Sequence, residues 1–438
     1  MNDRLRVLVM GGTWPHRAGN VQAADVVPYE IARCLAAEGF DVAVACVGFA
    51  EPPVSAAARA GLAELQQLGV RLLPFIKIAP PPGSNSALRK WWRLLIQQDP
   101  AALIPGYGQS APILSALTAA NWTPHVAIPI WNYEATAAAA DLPCILYPIY
   151  GNPDDKVYLA NLRLMWQRER RLSAGWLGRY LADRLRIAAV GRAHLAMLNR
   201  FELVAQNAAN DYEYYRSAGV SGVHYLRNMW PAPVDEAWAE TRDRVEQIAP
   251  LKIAGNVGHL NATANSFGLL AIGEEIVPAL RRRLGDGTFE MHIYGRNNPR
   301  PFIARTLRDP HIKLRGFVED IDGELLSCPI FLLANNRYDF KVGHTRILHA
   351  FALGACVVAY RDTAIAMPEL MDGKNILLAD DGPGIAEQIA RAAADAPLRR
   401  RLARAGIDTL RTLFRPETVV EEMAALIRAE AARGGKVA

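Results

Sequence analysis

VGHTRILHAFALGACVVAY, residues 342–360, followed by PELMDGKNILL, residues 368–378, decides the fold of this chain. A glycine and a short polar turn lead into an apolar run with helical spacing, and a second glycine leads into a β-branched run that reads as a strand. A helix N-terminus carries unpaired N–H groups and a partial positive charge, so a loop–helix–strand unit of this kind presents an anion site near Gly343 and His344.

Working outward, the same alternation of strand and helix appears twice. Residues 6–10 form a continuous apolar run ending at Gly11 and Gly12, residues 26–37 have helical spacing, and residues 41–47 are again β-branched. That is the βαβ start of a parallel sheet. Residues 70–75, 126–130, 144–147 and 203–205 are further buried-strand candidates. MWPAPVD, residues 229–235, breaks the pattern with two prolines. The alternation then restarts with strands expected at 251–254, 290–294, 312–314 and 330–334 and a helix at 269–284. The expected organisation is therefore a doubly wound α/β domain over residues 1–228, a linker over 229–250, a second Rossmann-like domain over 251–416, and a final helical segment, 417–438, that could cross back to the first domain.

Composition agrees with an ordinary globular protein. With 438 residues and about half of them hydrophobic, the chain can bury two cores. A net charge of +5 is mild, and no DNA- or RNA-binding signature accompanies it, which argues against nucleic acid and leaves an anionic substrate or membrane surface open. Cys34, Cys46, Cys144, Cys328 and Cys356 are odd in number, scattered and free of C-x-x-C spacing, so they read as buried thiols of a reducing compartment. The opening MNDRLRVLVMGG is too short an apolar run for a signal or spanning segment, and a cytoplasmic location is expected. No His, Cys, Asp and Glu spacing calls for a metal.

The order of parts in the opening stretch, G-x-x-K/R-x-x-E-A-x-A-x-G-x-P-V-V followed by E-x-x-x-D-G-x-N-x-L-L, resembles the nucleotide-sugar half of GT-B glycosyltransferases, closest to family 4 (glycosyl transferases group 1). The resemblance is good over residues 251–414 and architectural over the first domain. It implies two Rossmann-like domains facing across a cleft, a nucleoside-diphosphate-sugar donor, a hydroxyl acceptor, and transfer with retention. Donor-binding positions follow from it. Gly343, His344, Thr345 and Arg346 form the G-x-x-K/R turn, with Arg346 at its basic position. Asn256, Gly258 and His259 fall in GNVGHLN, residues 255–261, which resembles the family segment G-R-L-x-x-x-K-N. Where the family has its Arg and Lys, this chain carries His259 and Ala264. Where the family has the glutamates of an E-x7-E pair, the second on the ribose, it carries Lys341 and His349. Val318, in GFV at residues 316–318, matches a turn whose backbone reads the base.

The chemistry sets its own requirement: breaking a sugar–phosphate bond leaves a diphosphate whose growing charge must be met by fixed cations or dipoles. Lys341, His344, Arg346 and Arg296 are the candidate cations. Arg346 and Lys341 are read as catalytic, with an ion pair at a helix start and a solvated loop lysine as their bland alternatives. His349 could equally be a satisfied structural histidine. In the first domain the glycine-rich loop at 11–20 lacks G-x-G-x-x-G, which argues against a nicotinamide or flavin, and Gly19 is its preferred donor contact. Glu134, in WNYE after a strand, could orient an acceptor hydroxyl. Trp91 and Trp92 beside Arg89, Lys90 and Arg93, together with Arg168, Arg170, Arg171 and Trp176, form basic-aromatic clusters suited to a membrane interface and a glycan or lipid-linked acceptor, or simply to a solvated face. Two other readings stay open: a decayed GT-B sugar-nucleotide-binding or scaffold protein, and a GT-B nucleotide-sugar epimerase, which would need a carboxylate pair that Lys341 and His349 do not supply.

Overall fold

The computed structural model describes residues 4–18, 22–79, 103–169, 173–233, 249–336 and 341–434. Gly19, Arg89, Lys90, Trp91, Trp92, Arg93, Arg170, Arg171 and most of the expected linker lie outside the described residues. The chain divides into two compact units, one made of residues 1–207, 211–226 and 416–438, the other of residues 208–210 and 227–415.

In the first unit, β1 (Arg6–Gly11), β2 (Asp41–Gly48), β3 (Arg71–Leu72), β4 (Ile76–Lys77), β5 (Val126–Pro129) and β6 (Ile145–Leu146) make a parallel sheet in the order β3-β2-β1-β5-β6, with β4 also on β2. The central strands are apolar at nearly every position because helices cover both faces, and so they show no polar alternation. Short strands β7 (Ile149–Tyr150), β8 (Val204–Gln206) and β9 (Val223–Tyr225) form a small parallel sheet joined to the end of β5 through an Ile130–Ile149 bridge. The helix Pro416–Ala432 belongs to this unit. It buries Val419, Val420, Met423 and Ile427, and ties Glu417 to Arg33 and Arg428 to Glu38 beside the helix Ala23–Ala37.

In the second unit, β10 (Leu251–Val257), β11 (Phe289–Tyr294), β12 (Ile312–Gly316), β13 (Ile330–Leu333), β14 (Cys356–Tyr360) and β15 (Leu377–Ala379) run parallel in the order β12-β11-β10-β13-β14-β15. The order reverses direction between β10 and β13. In open α/β sheets ligands bind beyond the carboxyl ends of the strands at such a reversal. The stretch PELMDGKNILL folds a turn that closes onto β15. Asp372 Oδ1 accepts from the Leu378 N–H at 2.9 Å, and Asn375 Oδ1 accepts from the Met371 N–H at 2.8 Å while its amide donates to Glu369 O at 3.0 Å. Gly373, at φ +69°, takes the left-handed step this turn needs.

Candidate functional site

Beyond the carboxyl end of β10 the chain must pass very close to the end of β11. Gly258 donates its N–H to Tyr294 O at 3.1 Å, and an atom placed at the Cβ position of Gly295 would lie 1.8 Å from Gly258 O. Gly258 itself sits at φ +126°, and its own Cβ position lies 3.3 Å from Asn265 Nδ2 and 3.8 Å from Arg346 Cζ. Two glycines therefore bring backbone, amide and guanidinium together at the reversal point. Asn256, one turn of strand earlier and 3% exposed, keeps a buried Oδ1 with no hydrogen-bond partner. A buried unpaired acceptor is costly, and a donor from a ligand or water would satisfy it.

Arg346 is fixed from below. Its Nη1 donates to Asn265 Oδ1 at 2.8 Å, Asn335 Nδ2 donates to the same oxygen at 2.6 Å, and Asn265 Nδ2 donates to His259 O at 2.6 Å. Burial pushes the guanidinium pKa down to about 10, which still leaves it a cation at neutral pH. It carries that charge without a carboxylate on the oxygen it bonds. Such a cation, pre-oriented by neutral amides, keeps its charge for an incoming anion.

The Gly343 turn is held by Asn336. The Asn336 amide donates to Val342 O at 2.7 Å and accepts from the Val342 N–H at 3.1 Å, imitating a strand partner. His344 Nε2 donates to the same Asn336 Oδ1 at 2.8 Å. His344 is the residue preceding the helix Thr345–Ala352, yet its side chain makes no capping bond to that helix. Thr345 and Arg346 therefore open the helix with no side-chain cap on their N–H groups, and such a helix start attracts an anion. His344 is 5% exposed, and burial, reinforced by Arg346, holds its pKa well below the usual 6.5. It is a neutral hydrogen-bond donor rather than a cation.

That neutrality has a measurable consequence. The unfolded chain protonates this imidazole near pH 6.5 and the folded chain does not, so the unfolded state binds more protons and stability falls as pH drops below 6.5. His344→Gln keeps an amide donor for Asn336 and removes the titration. Denaturant melts should show wild type losing stability faster than His344→Gln below pH 6.5, by a slope approaching about 1.4 kcal/mol per pH unit. His194, pushed down to about 4 by burial, acts in the same direction, and Asp211, pushed up to about 7 by burial, acts in the opposite one. Both are common to the two proteins and cancel in the difference. Parallel pH curves would show that His344 is charged in the fold.

The remaining sequence-derived positions spread around this centre. His259 is exposed, with its Nδ1 3.2 Å from Asn297 Nδ2. Arg296 lies with its guanidinium 4.3 Å over the Phe317 ring, beside Val318 at the end of β12. Lys341 Nζ pairs with Asp362 Oδ2 at 3.4 Å. His349 is engaged on both sides: its Nε2 donates to Asp322 Oδ1 at 2.7 Å, which lowers the carboxyl pKa, and its ring lies 5.0 Å from Trp230. Asn335 and Asn336 were not singled out from sequence. The signal was there: an Asn-Asn pair directly after the buried strand IFLLA puts two amides at the carboxyl end of the sheet.

In the first unit, Trp131 follows β5 at φ +45°, an uncommon conformation for a bulky residue, and is held by Trp131 Nε1 donating to Asn207 Oδ1 at 2.8 Å. Asn132 caps the helix Tyr133–Ala139 through the Ala135 N–H, and Glu134 stands in that first turn, half-buried, where the helix end favours its negative charge. Tyr150 lies within β7 and is 1% exposed, with its hydroxyl bonded to His194 Nδ1. It is part of the packing beneath the loop Gly151–Pro153 rather than its surface.

Against solved structures the chain aligns nearly end to end. Sucrose-phosphate synthase from Thermosynechococcus elongatus shares 14% identity at TM-score 0.62, covering 98% of this chain and 100% of that one. HepE from Anabaena, solved with UDP-glucose, shares 15% at TM-score 0.59 over 97% and 100%. A TarM variant from S. aureus, solved with UDP and α-GlcNAc-glycerol, shares 10% at TM-score 0.56 over 97% and 99%. The fold is GT-B. Residues 252–395, within the second unit, match the family described as glycosyl transferases group 1. No curated protein matches the sequence.

Proposed function

We propose that this protein is a metal-independent, retaining glycosyltransferase that moves a sugar from a nucleoside-diphosphate-sugar to a hydroxyl acceptor. The observation that carries the reading is Arg346, oriented by Asn265 beside Gly258 and at the first turn of the helix Thr345–Ala352. The anomeric carbon gives up its bond to the diphosphate oxygen and gains one to the acceptor oxygen, and the acceptor's hydroxyl proton leaves with the diphosphate. Arg346 and the helix N–H groups meet the charge left on the diphosphate, with Lys341 assisting. Gly343, His344 and Thr345 shape the phosphate turn, Asn256, Gly258 and His259 line the donor side, and Arg296 and Val318 border the base. His349, with Asp322 and Trp230 around it, orients the ribose edge, and Glu134 of the first unit orients the acceptor hydroxyl. The reading includes a cytoplasmic location, supported by five buried free thiols, and a glycan or lipid-linked acceptor.

The test is turnover across a panel of nucleotide sugars, starting with uridine diphosphate donors, with donor hydrolysis and transfer both followed and the anomeric configuration of the product read by NMR. Transfer with retained configuration is expected. Tight donor binding without turnover on any member of the panel would favour the decayed binding protein, and an inverted product would remove the retaining assignment.

A further inference from the structure

Among the described residues, the helix Ala174–Leu198 of the first unit presents an exposed apolar face. Leu177, Leu181 and Leu185 are 45%, 54% and 54% exposed. At about 100° per residue they fall within about 80° of one another, so they form one stripe, which Ala174 and Ala188 extend. The opposite face of the same helix, with Ala189, Val190, Ala193 and Met197, is buried in the core. Trp176, which sequence composition marked for an interface, instead packs against Trp166 and Tyr180 at ring distances of 5.3 and 5.5 Å, near the helix start.

Basic residues border the stripe. Arg184 lies on one edge and Arg192 continues it toward the C-terminal end, both exposed; Arg179 and Arg186 fall on the far side of the helix, and Asp183 is the acidic residue of this helix and is half-buried. An exposed leucine row with arginines beside it has the character of an interfacial helix, whose apolar face enters the headgroup boundary while its cations meet anionic lipid. A second copy of the chain would set arginine against arginine. The three leucines span only about 12 Å of helix, too small a patch for the roughly 800 Å² per partner of a stable protein interface.

We propose that this face docks reversibly on a bilayer carrying anionic lipids. The surface holds none of the donor residues, so its failure and the failure of the transferase reading are separable.

The experiment is co-sedimentation of the full-length protein with vesicles of phosphatidylcholine alone and of phosphatidylcholine mixed with phosphatidylglycerol, at low and high salt. Wild type should sediment with the mixed vesicles, more weakly at high salt, and stay in solution with phosphatidylcholine alone. The Leu177→Ser, Leu181→Ser, Leu185→Ser triple variant should bind roughly tenfold more weakly or less, with an unchanged melting curve because these side chains are exposed. Arg184→Ser with Arg192→Ser should remove most of the salt dependence, and the single Leu181→Glu serves if the triple variant folds poorly. Equal sedimentation of wild type and the leucine variants, no binding of wild type to mixed vesicles, or a dimer in light scattering that the leucine variants abolish would each overturn the assignment.

Discussion

Arg346→Ala will lower kcat/KM for sugar transfer roughly ten- to hundredfold, because a charge-assisted contact to the departing diphosphate is worth on the order of 1.5–3 kcal/mol. The loss falls on transfer rather than on folding: Asn265 Oδ1 keeps the Asn335 amide when the guanidinium is gone. Arg346→Lys should recover only part of the rate, since a point charge cannot hold both Asn265 and a phosphate in the planar geometry of the fork. Lys341→Ala should cost less than Arg346→Ala, because Asp362 already shares its charge. The comparison is with Arg428→Ala on the final helix, whose guanidinium pairs with Glu38 in the first unit. Steady-state kinetics in which Arg346→Ala and Arg428→Ala turn over alike would show that the phosphate is held elsewhere.

Gly295→Ala should damage both fold and donor binding. A methyl there would meet Gly258 O at 1.8 Å and Leu260 Cδ2 at 2.9 Å, and the oxygen is backbone that cannot rotate aside. Overpacking costs about 1–3 kcal/mol. A contact with backbone belongs at the upper end, which corresponds to a fall in melting temperature of roughly 6–12 °C for a unit of this size. Relief requires Gly258 to move, and with it the backbone beside Arg346, so donor affinity should fall together with stability. Gly287→Ala is the control. Unlike Gly295 it has a positive φ, +75°, and it has open space around its Cβ position, so it suffers conformational strain without collision. Calorimetry placing the two variants within about 1 kcal/mol of each other would mean that the strand ends separate more easily than the geometry implies.

Much of the second unit was legible because its chemistry is local. A parallel strand buried on both faces must be a short apolar run, and the glycines that end such runs mark turns, so the strands at β10, β11, β13 and β14 stand out in the sequence. The turn at Gly343 was equally readable, since a helix start needs only neighbouring residues. In the first unit the expected runs at 70–75 and 144–147 hold β3 and β6, whereas the two-residue strands β4 and β7 carry too few positions for any periodicity, and the 203–205 run revealed only β8 of the small sheet. Likewise the expected single helix at 269–284 is three pieces, Thr263–Ala271, Ile272–Ile276 and Val277–Leu284, the middle one in the wider π geometry that apolar spacing does not register.

By itself, then, the sequence determined the repeated βα alternation, the switch from one set of strands to the next, and the glycine turn before the helix Thr345–Ala352, because each depends on residues a few positions apart. Only the tertiary structure decided which partners those residues take. Asn265 and Arg346 are 81 positions apart and meet at 2.8 Å; His349 finds Asp322, 27 positions away; Asn336 reaches over to hold Val342. Sheet order brings these together, and sheet order follows from how buried strands of similar composition pack against one another rather than from any feature of a single strand. The same distinction separates Trp176 from the leucines: both are apolar residues on one helix, and only packing determined that the indole lies against Trp166 while Leu177, Leu181 and Leu185 face solvent.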